Sequence, residues 1–217
     1  MRSAFLLLAV TTASLPTVAL GDRGALSLEG GGVLSAARVP PGIGTGESVF
    51  GTLGGATLGA RYGVSNNIEV GVSVLWLDGA QFNNDATTVT RSGSGSFSGQ
   101  LQSEVSRIGA GVNVQYVRGL VFRWHVGGEL GWSRVSFRRI DLINVATDPP
   151  TSFGDVGPRT RTLDGIVVAP MAGLEWMATD RLSFAIMPRI EFLLGEPQMT
   201  AFTIPIVASY SWYGFFR

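Results

Sequence analysis

Ten residues carry the groups from which chemistry could be built: Glu29, Arg61, Glu69, Arg107, Arg123, His125, Glu129, Glu175, Arg189 and Glu191. They are carboxylates, guanidiniums and the single imidazole of the chain. Such a set serves general acid–base catalysis, or it forms buried ion pairs. His125 is the residue to weigh first. Glu129 shares its face but lies about 13 Å further along a strand. Gly127 stands between them, where a nucleophilic serine would be needed. A packed, hydrogen-bonded histidine is expected, and no catalytic residue. The acids Asp78, Asp85, Asp141, Asp148, Asp155 and Asp164 have no coordination spacing, so neither a metal nor a cofactor is expected. The SGSGS stretch from Ser92 to Ser96 lacks the lysine and helix of a phosphate-binding loop.

All ten residues are odd-numbered, and the elements that must hold them explain why. Period-two alternation divides the chain into eight segments. They run Ala25–Ala37, Thr52–Tyr62, Ile68–Trp76, Ser106–Tyr116, Phe122–Trp132, Gly165–Trp176, Arg181–Phe192 and Phe202–Phe216. Each matches the roughly 9–11 residues of a tilted strand crossing a bilayer. In a strand, parity separates the two faces. The even face is apolar and aromatic, as in Val70, Val72, Val74 and Trp76, and carries no charge within these spans. The odd face carries the ten ionisable residues, with Asn113, Gln115 and many glycines. Its bulky apolar residues are few, chiefly Leu53, Leu75, Met171 and Met187. Such a face cannot fill a dry core, so inside and outside are inverted: the even face meets lipid.

Connections agree. Short turns, such as GVSNN from Gly63 to Asn67, alternate with long polar loops such as TDPPTSFGDVGPRTRT. That is the plan of an outer-membrane barrel. Aromatic residues gather at both ends of the spans as a girdle: Tyr62, Trp76, Tyr116, Trp124, Trp132, Trp176, Tyr210, Trp212 and Phe216. The fold expected is all-β, an eight-stranded antiparallel up-and-down transmembrane β-barrel with four long outer loops and three short periplasmic turns. Residues 1–21 read as a signal peptide, with Arg2, an apolar run from Phe5 and small residues at Ala19 and Gly21. The barrel then occupies residues 22–217. A net charge of zero gives nucleic acid nothing to bind, and the lack of cysteine excludes disulfides and thiolate sites.

With these spans, this loop plan and the ending SYSWYGFF, the chain resembles the small eight-stranded outer-membrane barrels, such as the OmpA membrane domain and OmpX. The resemblance implies an outer-membrane location and contact with its lipid. It also implies insertion through a C-terminal strand whose aromatic residues, Tyr210, Trp212 and Phe216, the insertion machinery reads; Arg217 follows them. A monomer is expected, with a structural or surface-interaction role through the long loops and an Arg/Glu network plugging the lumen. The alternatives are a narrow channel or a small-solute binding barrel, and, less favoured, a lipid-modifying enzyme.

Register can be estimated from the turns. One centred on Ser65 sets Arg61 opposite Glu69. One centred on Gly119 brings Arg107 near Glu129 and sets Arg123 beside Gln115. One centred on Ala178 sets Pro170 opposite Pro188. Glu175 falls level with Arg123. Pro170, Pro188 and Pro205 conflict with their strands, because each withholds a ladder donor.

Overall fold

The computed structural model describes residues 23–39, 49–83, 87–91, 95–144, 151–155, 161–195 and 198–213. The signal-peptide segment, Phe216 and Arg217 lie outside the described residues. The elements are β1 (Leu26–Val39), β2 (Val49–Gly63), β3 (Ile68–Asn83), β4 (Thr87–Arg91), β5 (Gly95–Gly119) and β6 (Phe122–Asn144). There follow β7 (Thr151–Asp155), β8 (Arg161–Met177), β9 (Leu182–Ile186), β10 (Arg189–Leu194) and β11 (Met199–Trp212).

Seven antiparallel steps between neighbouring strands and one closing pair make the ring. β1, β2, β3, β5, β6 and β8 pair in succession. β9 and β10 form one stave, broken at Met187–Pro188, between β8 and β11. β11 then pairs with β1 and closes the ring of eight. Closure is what hydrocarbon demands, since an open edge would leave backbone N–H and C=O groups without partners. The short strands β4 and β7 pair only with the outer extensions of β5 and β6 among the described residues.

Alternation sets the faces as the sequence requires. Along β11 the burial alternates nearly residue by residue, odd positions inward and even positions outward. The outward face is apolar: Phe122 is 72% exposed, Leu174 68% and Leu58 63%. Trp76, Tyr116, Trp124, Trp132, Trp176, Tyr210 and Trp212 are also exposed, while Tyr62 is half-buried. Several pair on that surface, such as Tyr116 with Trp124 at 5.5 Å and Tyr210 with Trp212 at 4.8 Å between ring centroids.

The strands run longer than the sequence pattern marks. β5 has 25 residues and β6 has 23, so their hairpin continues well past the apolar band. Registers also differ. β2 and β3 pair Arg61 with Gly71, so the turn centres on Asn66, not Ser65. β5 and β6 pair Gly119 with Arg123, centring on Val121 rather than Gly119. There Gly119 adopts φ 126°, where a Cβ would come within 2.1 Å of the Phe122 carbonyl oxygen. β8 and β9 pair Leu174 with Ile186, so Pro188 faces Ala172 and not Pro170. Hydrogen bonds place these turns: Val64 and Ser65 both donate to the Ile68 carbonyl, and Ala178 and Thr179 to that of Leu182. Composition reveals a turn but not which residues close it.

Candidate functional site: the charged interior

Inward-pointing side chains stack in layers along the barrel. Nearest the short turns, Arg61 is the hub. Its Nη1 donates to Glu69 Oε2 at 3.0 Å, and its Nη2 donates to Glu175 Oε1 at 3.0 Å and Ser209 Oγ at 3.1 Å. Its Nε stands 2.8 Å from Glu29 Oε2 but off the angle of a hydrogen bond, so that contact is charge attraction alone. Arg123, directly opposite Glu175 on β8 as expected, reaches Glu69 at 2.8 Å and Glu175 at 3.3 Å. Ser183 Oγ donates to Glu175 Oε1 at 2.6 Å.

His125 closes this layer. Its Nε2 lies 3.0 Å from Glu175 Oε2, and its Nδ1 lies 2.9 Å from Gln115 Oε1. Gln115 in turn donates to Asn113 Oδ1 at 2.9 Å. Both ring nitrogens face a carboxylate or an amide, and neither faces a hydroxyl.

A second ionic layer lies towards the long loops. Arg189 Nη1 donates to Glu129 Oε2 at 2.9 Å, and Ser73 Oγ donates to the same oxygen at 3.0 Å. Arg189 Nε stands 2.7 Å from Glu191 Oε1, again without hydrogen-bond geometry. Arg107 pairs with Glu191 and donates through Nε to Ser133 Oγ at 2.8 Å. All ten residues identified from sequence therefore point inward; the nine acids and arginines make ionic contacts, and His125 hydrogen-bonds with Glu175 and Gln115. They divide into two sets instead of one continuous chain. The interior is bounded by glycines where these side chains need room. A Cβ on Gly59 would lie 2.8 Å from Glu29 Oε1, one on Gly71 2.8 Å from Asn113 Oδ1, and one on Gly111 2.8 Å from the Glu129 carboxyl group.

The ion pairs are made with other partners than the hairpin neighbours: Arg107 shares a small cavity with Glu129 but pairs with Glu191 across the lumen, and Arg123 pairs with Glu69 and Glu175. Arg61 and Glu69 do meet, diagonally, because the long arginine spans the two-residue shift in register.

The apolar interior is larger than the sequence reading allowed. Between the ionic layers Met171, Ala185, Met187 and Val207 pack together. Beyond the second layer, a cluster including Val33, Leu53, Leu77, Val135, Val167 and Leu193 fills the outer half. The signal was present in odd-numbered residues such as Leu77, Val105 and Leu163, which fell just outside the marked spans. Among the described residues the lumen keeps small cavities of about 10 Å³ beside Arg107 and Glu129 and about 30 Å³ beside Glu29, Met171 and Met187. Each holds a few water molecules at most, since one needs roughly 10–15 Å³ of such space. A much wider hollow, about 600 Å³, lies on the outward, apolar side of the wall among Leu58, Val72, Ala110 and Leu130.

A closed barrel with a charged interior and an apolar belt is a transmembrane β-barrel of the outer-membrane type. Comparison with known proteins agrees at the level of fold. No family model matches the chain, and no curated protein matches it by sequence. Solved structures do. Ail, the attachment invasion locus protein of Yersinia pestis, is similar with a TM-score of 0.53 at 13% identity, over 88% of this chain and 99% of that one. OprG, an outer membrane protein of Pseudomonas aeruginosa, gives 0.53 at 12% identity over 91% and 100%. Neisserial surface protein A gives 0.52 at 12% identity over 87% and 99%. The chain thus shares the fold of the small eight-stranded outer-membrane barrels that its sequence resembles.

Proposed function

We propose that this protein is a non-enzymatic outer-membrane barrel whose lumen is closed to ions and whose long hairpins do its work at the cell surface. The observation that carries this reading is the filling of the lumen among the described residues: two ionic layers, an apolar layer between them and an apolar outer half, with small cavities of about 10 and 30 Å³. An eight-stranded barrel is just wide enough for side chains to fill it. The extended β5–β6 hairpin supports a surface role, since strands of 25 and 23 residues far exceed a bilayer crossing. Export by residues 1–21, monomeric state and insertion through the C-terminal strand belong to the same reading.

Conductance in planar bilayers is the test. The purified barrel is expected to give no steady openings, and reproducible openings would refute closure.

A further inference from the structure

Carboxylates and guanidiniums alone do not balance the charge of the lumen. Towards the long loops the count is even, with Glu129 and Glu191 facing Arg107 and Arg189. Nearest the short turns, Glu29, Glu69 and Glu175 face only Arg61 and Arg123. Among the described residues this layer is one positive charge short. Glu69 and Glu175 are buried there, and a buried charge left unmatched is costly. His125, the one histidine of the chain, stands in the same layer and is fully buried.

Hydrogen bonding at the ring points the same way. A neutral imidazole has one N–H donor and one bare nitrogen that accepts. The Nε2 of His125 lies 3.0 Å from Glu175 Oε2. Arg61 and Ser183 already donate to Oε1 of that carboxylate, and Arg123 stands 3.3 Å from Oε2, so Glu175 offers Nε2 only lone pairs. On the other side Nδ1 lies 2.9 Å from Gln115 Oε1. The Gln115 amide is oriented by its own nitrogen, which donates to Asn113 Oδ1 at 2.9 Å and leaves the oxygen turned to the ring. Each ring nitrogen thus meets an acceptor. A neutral ring, in either tautomer, would set one lone pair directly against another.

We propose that His125 holds two protons, and that this imidazolium is the fifth cation of the lumen, a bound proton built into the plug. The charged groups around it are Glu29 from β1, Arg61 from β2, Glu69 from β3, Arg123 from β6 and Glu175 from β8. With the imidazolium they sum to zero. Alkali that removes the second proton restores the excess negative charge, so the turn-end layer is held below that pH and loosens above it. This goes beyond the closed-lumen reading and does not depend on it: that reading fails on conductance, this one on nitrogen spectra.

A single histidine makes the test direct. Untagged protein carrying isotope-labelled histidine is reconstituted in lipid vesicles, and its ring nitrogens are recorded by solid-state NMR at neutral pH. Both nitrogens are expected to carry a directly bonded proton, and one bare nitrogen overturns the proposal. Glu175→Gln supplies an amide that can turn its own N–H to the ring, so one ring proton is expected to be lost at the same pH. A ring that stays doubly protonated in that variant overturns the assignment of the second proton to Glu175. A titration of the native protein guards against a variant that does not fold. Its urea unfolding midpoint is expected to fall over the pH range in which the second proton leaves, and His125→Gln to lack that step. A midpoint unmoved by loss of the proton overturns its place in the plug.

Discussion

Arg61→Met is the most informative single substitution. Methionine keeps most of the length and removes the charge. Arg61 is 4% exposed and contacts Glu29, Glu69 and Glu175 at 2.8, 3.0 and 3.0 Å. After the change Glu69 retains Arg123 at 2.8 Å, and Glu175 retains Arg123, His125 and Ser183. Glu29 retains no ion pair that the described residues provide. Removing one partner of a buried pair costs about 3–5 kcal/mol, chiefly through the charge left behind. Three carboxylates lose a cation here, so the upper half of that range is expected. Urea unfolding in lipid vesicles, with folded and unfolded forms separated as heat-modifiable gel bands, measures it. Glu29→Gln in the Arg61→Met background should recover part of the loss, because it removes the stranded charge; contacting residues couple by about 0.5–3 kcal/mol. A loss under about 1 kcal/mol, the range of exposed pairs, or strict additivity of the two changes, would refute the reasoning. The outward pair Arg134–Asp164, just past the marked spans and 48% and 43% exposed, supplies the control, and breaking it should leave the unfolding midpoint in place.

Other expectations follow from the same geometry. Gly111→Val forces a branched side chain against the Glu129 carboxyl group and should cost about 1–3 kcal/mol by overpacking, read in the same assay; unchanged stability would mean the layer is looser than its distances. Backbone amides of Ala172 and Met187 bond to the carbonyls of Pro188 and Pro205, which return no N–H, and should exchange with deuterium sooner than that of Val114 in the β3–β5–β6 wall. The reverse order would show the prolines do not weaken their rungs. His125→Ala should leave the cell's phospholipid and lipid A acylation patterns unaltered, and a changed pattern would reopen an enzymatic role.

Much of this architecture was legible in the sequence because period-two strands and a bilayer impose the same parity on every span. Val72 and Glu69 could be assigned to opposite faces without any knowledge of neighbours. Register was not legible. GVSNN closes around Asn66 because the Val64 and Ser65 amides both reach the Ile68 carbonyl, which composition does not reveal. Contacts across the lumen were equally hidden: Arg107 and Glu191 sit on strands that do not touch, and only closure of the ring faces them. Hairpin neighbours alone set Arg107 near Glu129, with which it shares a cavity, but they do not reveal its ion pair with Glu191. The outer apolar cluster was lost differently. Leu77, Val105 and Leu163 continue the inward face past the point where the lipid-facing pattern, which marks the ends of the spans, fades.

β5 and β6 pass without a break from the outermost described hairpin to the turn end, and Arg107, Asn113, Gln115, His125 and Glu129 are all mounted on them. A pull on that hairpin is a pull along covalent chain into the middle of the bilayer. The tether ends on guanidinium–carboxylate clamps reaching to β3, β8 and β10. Load applied at the surface is thus shared around the circumference, by these ion pairs as well as by the backbone ladders to β3 and β8.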